Sequence, residues 1–566
     1  MNLKQDHSQN QTFDAIVVGS GMSGGWAAKE LCDAGLKTLV LERGRNVEHV
    51  TDYTTAFSNP WDLPHRGRET RQDRLENPIA NKCYAYDEAT KQFFLPDEEQ
   101  AYIQDKPFDW IRSYQEGGKS LTWGRQTQRW SPYEFENPHK WGYGIEWPIR
   151  YDELAPWYSK VERFIGVSGH RDAHPSMPDG EFLKPFEMTC VEKHVQETIA
   201  KNYADRAAII GRCAHLTEVK EIHEKQGRSQ CQSRVLCYRG CPFGAYFSSN
   251  SSTIPWAQKT GNLTLRPHSI VHSIRYDEQK GKAKGVLVID QKTGETHEFY
   301  AKIIFVNAST INSNALLLNS KSKRFPNGLG NDSGVLGKYL GFHMYRGTIS
   351  ALHPSFGDKF YYGRRPTAVI VPNFRNLEKQ ESSFLGGYSS FFSTGRSVGH
   401  EAPFGEALKK ASGEIGPWSV YMMMQGETIP KESCQISLAP EKQDKYGLPQ
   451  VSIHVHYDDN DMHMMQDFHE QGEQMLELAG FKQINKIDTH QAPGLDIHEM
   501  GGARMGKDPK NSILNRFNQV HTCQNVFVTD GACMSSFGHQ NPSLTFMALT
   551  ARAVDHAISE LKKQNL

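Results

Sequence analysis

No run of apolar residues in this 566-residue chain approaches the roughly 18 needed to cross a bilayer. The opening segment from Met1 to Thr12 is polar and lacks the apolar centre of a signal peptide. Neither a membrane span nor an export address is expected. Charge of one sign is also missing: 64 Lys and Arg face 65 Asp and Glu, a formal net charge of -1. Such a chain has no long-range field with which to gather phosphates or anionic lipid, so nucleic acid is a poor partner. The ten cysteines are mostly far apart in sequence, which excludes a disulfide framework. Internal repeats, low-complexity stretches and a recognisable linker are lacking too. What remains is an ordinary globular composition, 38% AVILMFWYC with 48 glycines. Its length points to two interleaved domains or one large mixed domain.

The first positive signal is local. An apolar run, Phe13 to Val18, leads into Gly19-Ser20-Gly21-Met22-Ser23-Gly24, then a helix-like stretch, then a second apolar run, Lys37 to Leu41. Strand, glycine turn, helix and strand form a βαβ start in which Gly19, Gly21 and Gly24 let a pyrophosphate approach a helix N-terminus. Glu42 follows Gly19 by 23 positions, where a carboxylate can accept hydrogen bonds from ribose hydroxyls. The bland alternative is a packing turn and a surface glutamate; four coincident features favour the dinucleotide. Spacing alone does not separate FAD from NAD.

Farther on, Tyr345–Leu352, Thr367–Val371, Trp418–Met424, Gln435–Leu438 and Gln450–Tyr457 read as strands of a separate, mainly antiparallel sheet. Met462–Ala479, closed by Gly480, and Pro542–Leu561 read as helices. His454 and His456 alternate on one of these strands and share a face, a surface arrangement more than a metal site. Cys231, Cys237 and Cys241 are spaced x5 and x3 on a loop with Gly240, Pro242 and Gly244. Three thiolates at this spacing can close on zinc, with Cys213, His215 or His223 as fourth ligand, or on an iron–sulfur cluster missing one iron. Reduced buried cysteines or a chance disulfide are the plain alternatives.

Several motifs in order then resemble one family: Leu41-Glu42-Arg43-Gly44, Gly117-Gly118-Lys119-Ser120-Leu121-Thr122-Trp123-Gly124, His498 to Gly506, Asn525 to Gly531, and Asn541-Pro542-Ser543-Leu544-Thr545. From Phe13 to about Ile558 the chain is similar to the glucose-methanol-choline (GMC) oxidoreductases. The resemblance implies an α/β fold with a Rossmann-like FAD-binding domain from 12–150, 225–345 and 497–562. A substrate domain on a mainly antiparallel sheet would come from 151–224 and 346–496. It implies FAD contacts at Gly19, Gly21, Gly24, Glu42, Arg43, Val271, Ala308 and Asn541, with Asp530 and Gly531 against the ribityl and pyrophosphate portion. Gly117, Gly118, Ser120, Thr122, Trp123 and Gly124 would lie near the isoalloxazine. Thr122 stands where some pyranose oxidases carry a flavin-linked histidine, so FAD is expected to be noncovalent.

By the same resemblance His498 is the catalytic base and Asn541 a hydrogen-bond partner of the substrate oxygen. His539 falls two residues short of a second catalytic position and is a supporting candidate. The chemistry suits a histidine: alcohol oxidation needs a base on the hydroxyl while the carbinol hydride leaves elsewhere, and a neutral imidazole is available at physiological pH.

Dye-linked, multi-subunit members of the family are similar in their cysteine spacing. That implies a three-iron four-sulfur cluster on Cys231, Cys237 and Cys241, converting a two-electron hydride into single electrons for a c-type cytochrome. Trp147 to Leu154 and Gly538 to Pro542 resemble the FAD-dependent glucoside 3-dehydrogenases, which implies oxidation of a sugar hydroxyl at C3 to a ketone. A cluster assembled in the cytoplasm and an acceptor outside it imply a small signal-bearing partner subunit and a periplasmic location. Oxidation at C1 of glucose, C2 of gluconate or a polyol carbon stays open, as does a non-catalytic electron-transfer flavoprotein.

Overall fold

The computed structural model describes residues 12–361, 365–398 and 404–566. Residues 1–11, on which the expectation of no export address largely rests, lie outside them. Among the described residues no helix is long and apolar enough to cross a membrane, and all ten cysteines are free thiols.

Three sheets carry the fold. The first is eight-stranded, and its centre is parallel in the order Cys523–Val528, Thr296–Val306, Thr12–Val18, Thr38–Leu41, Leu263–Arg266. Side chains alternate along each strand. Ala15 and Val17 therefore pack with Phe305, Phe527 and Ala553 under the helices Met22–Asp33 and Ser543–Lys562, while Ile16 and Val18 join Val286 and Val288 on the other face. Register lines up the strand ends: Val18 pairs with both Leu41 and Val306, and Val306 with Val528. The residues after these ends, Gly19, Glu42, Asn307 and Thr529, thus arrive together at the carboxyl edge, where open parallel sheets bind ligands.

The second sheet has seven strands, antiparallel in the order Lys482–Asp488, Gly347–His353, Trp418–Glu427, Tyr388–Gly395, Val369–Val371, Ile209–Ile210, with His343–Met344 also on Trp418–Glu427. Its back, through Trp418, Val420, Met422 and Met424, packs on Met464, Phe468 and Met475 of the helix Asp459–Leu478. The front is left facing a cavity.

The third sheet corrects the sequence reading. Gln435–Gln443 and Pro449–His454 do not join the seven strands; they lie in a five-stranded sheet in the order Met500–Gly502, Lys338–Gly341, Gln435–Gln443, Pro449–His454, Ile103–Gln104. The reason is burial: Ile436, Val451 and Ile453 pack on Leu340, Phe342, Phe108 and Ile311, and the last belongs to the helix Thr310–Asn319 beside the parallel sheet. The stretch 338–353 passes from this third sheet into the second, and His343 lies at the crossing.

Candidate active site

One cavity of about 1310 Å³ runs from the glycine turn, past His498, to the front of the seven-stranded sheet. At its head Gly19 is left-handed (φ 94°), and a Cβ there would lie 2.4 Å from the Asn307 carbonyl oxygen. A Cβ on Gly24 would come within 2.0 Å of the Gly19 oxygen. Gly21 differs: a Cβ there meets nothing within 4 Å, because it faces the open space in front of the helix that begins at Met22. Main-chain N–H groups at such a start favour a phosphate.

Glu42 lines the cavity, but its oxygens already serve the protein. Oε2 accepts from the Ser20 main chain (3.1 Å) and hydroxyl (2.5 Å), and Oε1 from Gly44 N (2.9 Å). Burial pushes its carboxyl above the ordinary range while those bonds oppose the rise. Arg43 lies over the Tyr114 ring at 4.7 Å and 3.6 Å from Asp444. Asp530 accepts from Ser313 Oγ (2.5 Å) and Ala532 N (3.0 Å), and burial raises its carboxyl to about 6. At Gly531 a Cβ would lie 2.3 Å from Thr310 Oγ1. Val271, Ala308, Gly118, Ser120, Thr122, Trp123 and Gly124 complete this wall. Gly117 is set behind it, its N–H on Ser20 Oγ at 3.0 Å and its Cα against Asn250.

Deeper in the same cavity His498 precedes the strand Met500–Gly502, and Asn541 precedes Pro542, which caps the last helix. These two chain ends bring Asn541 Nδ2 to 3.3 Å from His498 Nε2. The other ring nitrogen, Nδ1, is 2.8 Å from His343 Nδ1. Asp496 holds both histidines by their backbones, its Oδ2 accepting from His343 N (2.9 Å) and His498 N (3.2 Å). Between Asp496 and His498 stands Ile497 with φ 64°. A β-branched residue in the left-handed region is strained, which is common where a functional side chain must be aimed. Burial, then His343 and Lys119, depress the proton affinity of His498 well below the usual imidazole range; burial lowers His343 to about 4. Both rings are neutral at physiological pH.

Cys231 and Cys237 border this cavity as well. Burial raises both thiols, neighbouring thiols of the trio add to the rise, and Arg125 opposes it. Of the three fourth-ligand candidates, His215 comes close, its Nε2 3.8 Å from Cys237 Sγ. His223 is committed to Arg163 O (3.1 Å) and Lys220 N (3.2 Å), and Cys213 lies against Ser168 Oγ at 3.3 Å.

Two family models of GMC oxidoreductases match residues 135–345 and 430–550, together more than half of the chain. The chain belongs to the GMC oxidoreductases. It is 28% identical to 2-methyl-1,2-propanediol dehydrogenase of Mycolicibacterium austroafricanum over 97% of this chain and 95% of that protein. It is 23% identical to the fructose dehydrogenase large subunit of Gluconobacter japonicus over 98% and 99%. A solved structure of a formate oxidase variant from Aspergillus oryzae superposes with a TM-score of 0.60 at 13% identity, over 99% of this chain and 100% of that one.

As a GMC oxidoreductase the chain takes FAD, and its residues fit it: a glycine cradle with open space at Gly21, a continuous cavity, and buried polar atoms on lining residues without a protein partner, among them Ser113 Oγ, Asn307 Oδ1 and Asn541 Oδ1. Not every expected residue faces this space. His539, placed among the catalytic residues by the resemblance, is absent from the cavity lining and only 1% exposed. Its Nδ1 is 2.7 Å from Ser389 Oγ, its Nε2 is 3.2 Å from Glu134, and its carbonyl accepts from Gln425 Nε2 at 2.8 Å. Gly538 (φ 59°) turns the chain so that Asn541 faces the cavity and His539 is directed away. His454 pairs with Asp105, and its ring is 5.7 Å from His456. The sequence does not reveal His343 or Asp496; the Asp496-x-His498 spacing is a faint signal for one, and His343 carries none.

Proposed function

We propose that this chain is an FAD-dependent dehydrogenase that oxidises a secondary hydroxyl of a sugar or glycoside, at C3 of a glucoside, to a ketone. The observation that carries the reading is the His498–Asn541 pair, 3.3 Å apart on the wall of the cavity that holds the dinucleotide cradle. FAD, when bound, accepts the hydride. This chain's own residues do the rest: His498 Nε2 takes the hydroxyl proton, and Asn541 Nδ2 donates to the hydroxyl oxygen and orients it. The front of the seven-stranded sheet offers Tyr421, Met423, Gln425, Phe391 and Ser393 as a mixed aromatic and polar floor for a ring. The two full-length relatives are named for a diol and a ketose, hydroxyl-bearing substrates, which supports an alcohol as substrate. The C3 assignment rests on the likeness of Trp147 to Leu154 and Gly538 to Pro542.

For the electrons, we propose a three-iron four-sulfur cluster on Cys231, Cys237 and Cys241, passing single electrons to a c-type cytochrome. That the three thiols are free, with Cys231 and Cys237 bordering the cavity, supports this. A relative named as a large subunit supports a second, small subunit; in this proposal it bears the export signal and takes the chain to the periplasm.

Methyl glucoside tests the substrate assignment, because its blocked anomeric oxygen prevents C1 oxidation. Anaerobic bleaching of the flavin, with carbon NMR showing a C3 carbonyl, is the expected result. Inertness toward methyl glucoside with rapid bleaching by free glucose would replace the reading with a C1 dehydrogenase.

A further inference from the structure

We infer that His343 is a positioning residue that fixes the tautomer of His498, leaving Nε2 bare to accept a proton. Two main-chain oxygens set the direction. His343 Nε2 lies 3.2 Å from the Phe537 carbonyl and 3.1 Å from that of Gly538. Carbonyl oxygens only accept, so this nitrogen carries the N–H. A neutral imidazole has a single N–H, so His343 Nδ1 is a bare acceptor. His498 Nδ1, 2.8 Å away, must then be the donor. A neutral His498 with its proton on Nδ1 presents a lone pair on Nε2, and the group in front of that lone pair is Asn541 Nδ2, a donor. The polarity imposed by the two carbonyls is thus carried through both rings.

Several groups surround the pair. Asp496 takes the main-chain N–H of both histidines and that of Gly494, the Tyr457 hydroxyl donates to the His343 carbonyl (3.1 Å), and Lys119 is paired with Glu499 at 3.1 Å. Tyr345 packs edge-on to His498 at 5.9 Å, and His539 lies beyond the Phe537–Gly538 turn. His343, Asp496 and His498 bring three donor atoms within 4.8 Å of one another. The arrangement is a hydrogen-bonded one, because 2.8 Å between two ring nitrogens is the length of a shared proton and both Asp496 oxygens are already taken by main-chain donors.

The inference rests on His498 acting as base. When it takes the substrate proton on Nε2, its Nδ1–H is already donated to His343, so the imidazolium forms without a change of partner or ring flip. In a chain without His343, His498 would divide between two tautomers, one of which points an N–H at the substrate hydroxyl.

Holoenzyme labelled with nitrogen-15 in histidine tests this directly. His498, assigned by difference from a His498→Gln sample, should show a protonated Nδ1 and a bare Nε2; a protonated Nε2 overturns the inference. His343→Leu removes the acceptor, and His343→Asn keeps one near the Nδ1 position. The leucine variant should reduce flavin roughly 10–100-fold more slowly, with mixed His498 tautomers. The asparagine variant should recover most of the rate and the Nδ1 proton. Equal rates in the leucine variant and wild type, or equal losses in both variants with the His498 tautomer unchanged, overturn it. Should the leucine variant not fold, the wild-type tautomer and the asparagine variant decide. If no alcohol bleaches the wild-type flavin, the alcohol dehydrogenase reading fails while the tautomer measurement still stands or falls alone.

Discussion

Ser20 and Glu42, twenty-two residues apart, are joined twice, through the serine main chain and its hydroxyl, to one carboxylate oxygen. The acid at the end of the second strand therefore braces the glycine turn at the end of the first, in addition to facing the cofactor space.

That turn makes two glycine substitutions unequal. Gly24→Ala puts a Cβ 2.0 Å from a main-chain oxygen and should prevent the βαβ unit from forming. Gly21→Ala meets no protein atom within 4 Å, so the chain should fold and lose FAD affinity instead. Circular dichroism and flavin titration of both variants check this; normal FAD binding by Gly21→Ala would show that the pyrophosphate lies elsewhere.

His498→Ala should keep the bound-flavin spectrum and lose about 10²–10⁴-fold in the rate of flavin reduction by substrate. Asn541→Ala should lose less, because it removes an orienting contact and not the proton acceptor. Stopped-flow reduction under nitrogen reads both, and a near-normal rate without His498 would move the base to another residue.

The base works only when neutral. Since burial, His343 and Lys119 depress its proton affinity, flavin reduction should be independent of pH down through the usual imidazole value of 6.5 and fall only well below it. An acid limb centred at or above 6.5 would contradict the burial argument. Stability follows the same sign. A histidine held at about 4, such as His343 or His174, binds its proton more readily unfolded. The contribution of these histidines to the folded state is therefore complete above pH 6.5 and is lost as pH falls from 6.5 toward 4.

Thr122 lines the cavity where a linked histidine would be needed, so acid precipitation should release all the yellow colour into the supernatant. Colour kept by the washed pellet would mean a covalent flavin through some other residue.

Replacing Cys231, Cys237 and Cys241 with serine should leave flavin reduction by substrate intact, abolish electron delivery to a cytochrome, and remove iron from the purified protein. Stoichiometric zinc in the unaltered protein, with His215 3.8 Å from Cys237 as the available fourth ligand, would replace the cluster.

The parts of this architecture legible in the sequence are those whose meaning is local. Glycine spacing, the apolar run Phe13 to Val18 and the apolar period of Asp459–Leu478 each act over a few residues. Alternation says which residues of Gln435–Gln443 share a face but not which strand lies beside it, so the sequence alone groups those strands with the wrong sheet. The strands Tyr388–Gly395 and Lys482–Asp488 escape a sequence reading; the latter is largely exposed and polar, with Lys482, Gln483, Asn485, Lys486 and Asp488 among its seven residues. His498 and Asn541 are found through motifs. His343 draws its role from a histidine 155 positions away and a carbonyl 194 positions away, and no window along the chain contains that information.

The passage of 338–353 from one sheet into another makes the base a shared joint of the enzyme. Lys338–Gly341 is tied to the strand that comes after His498, Gly347–His353 to the substrate floor, and His343 spans the joint. The FAD cradle holds the same strand, Thr310 Oγ1 donating to the Glu499 carbonyl and Asn314 Nδ2 to that of Gly501. Cradle, base and substrate floor are therefore mechanically one piece, and heating should release the colour and stop turnover over the same range of temperature.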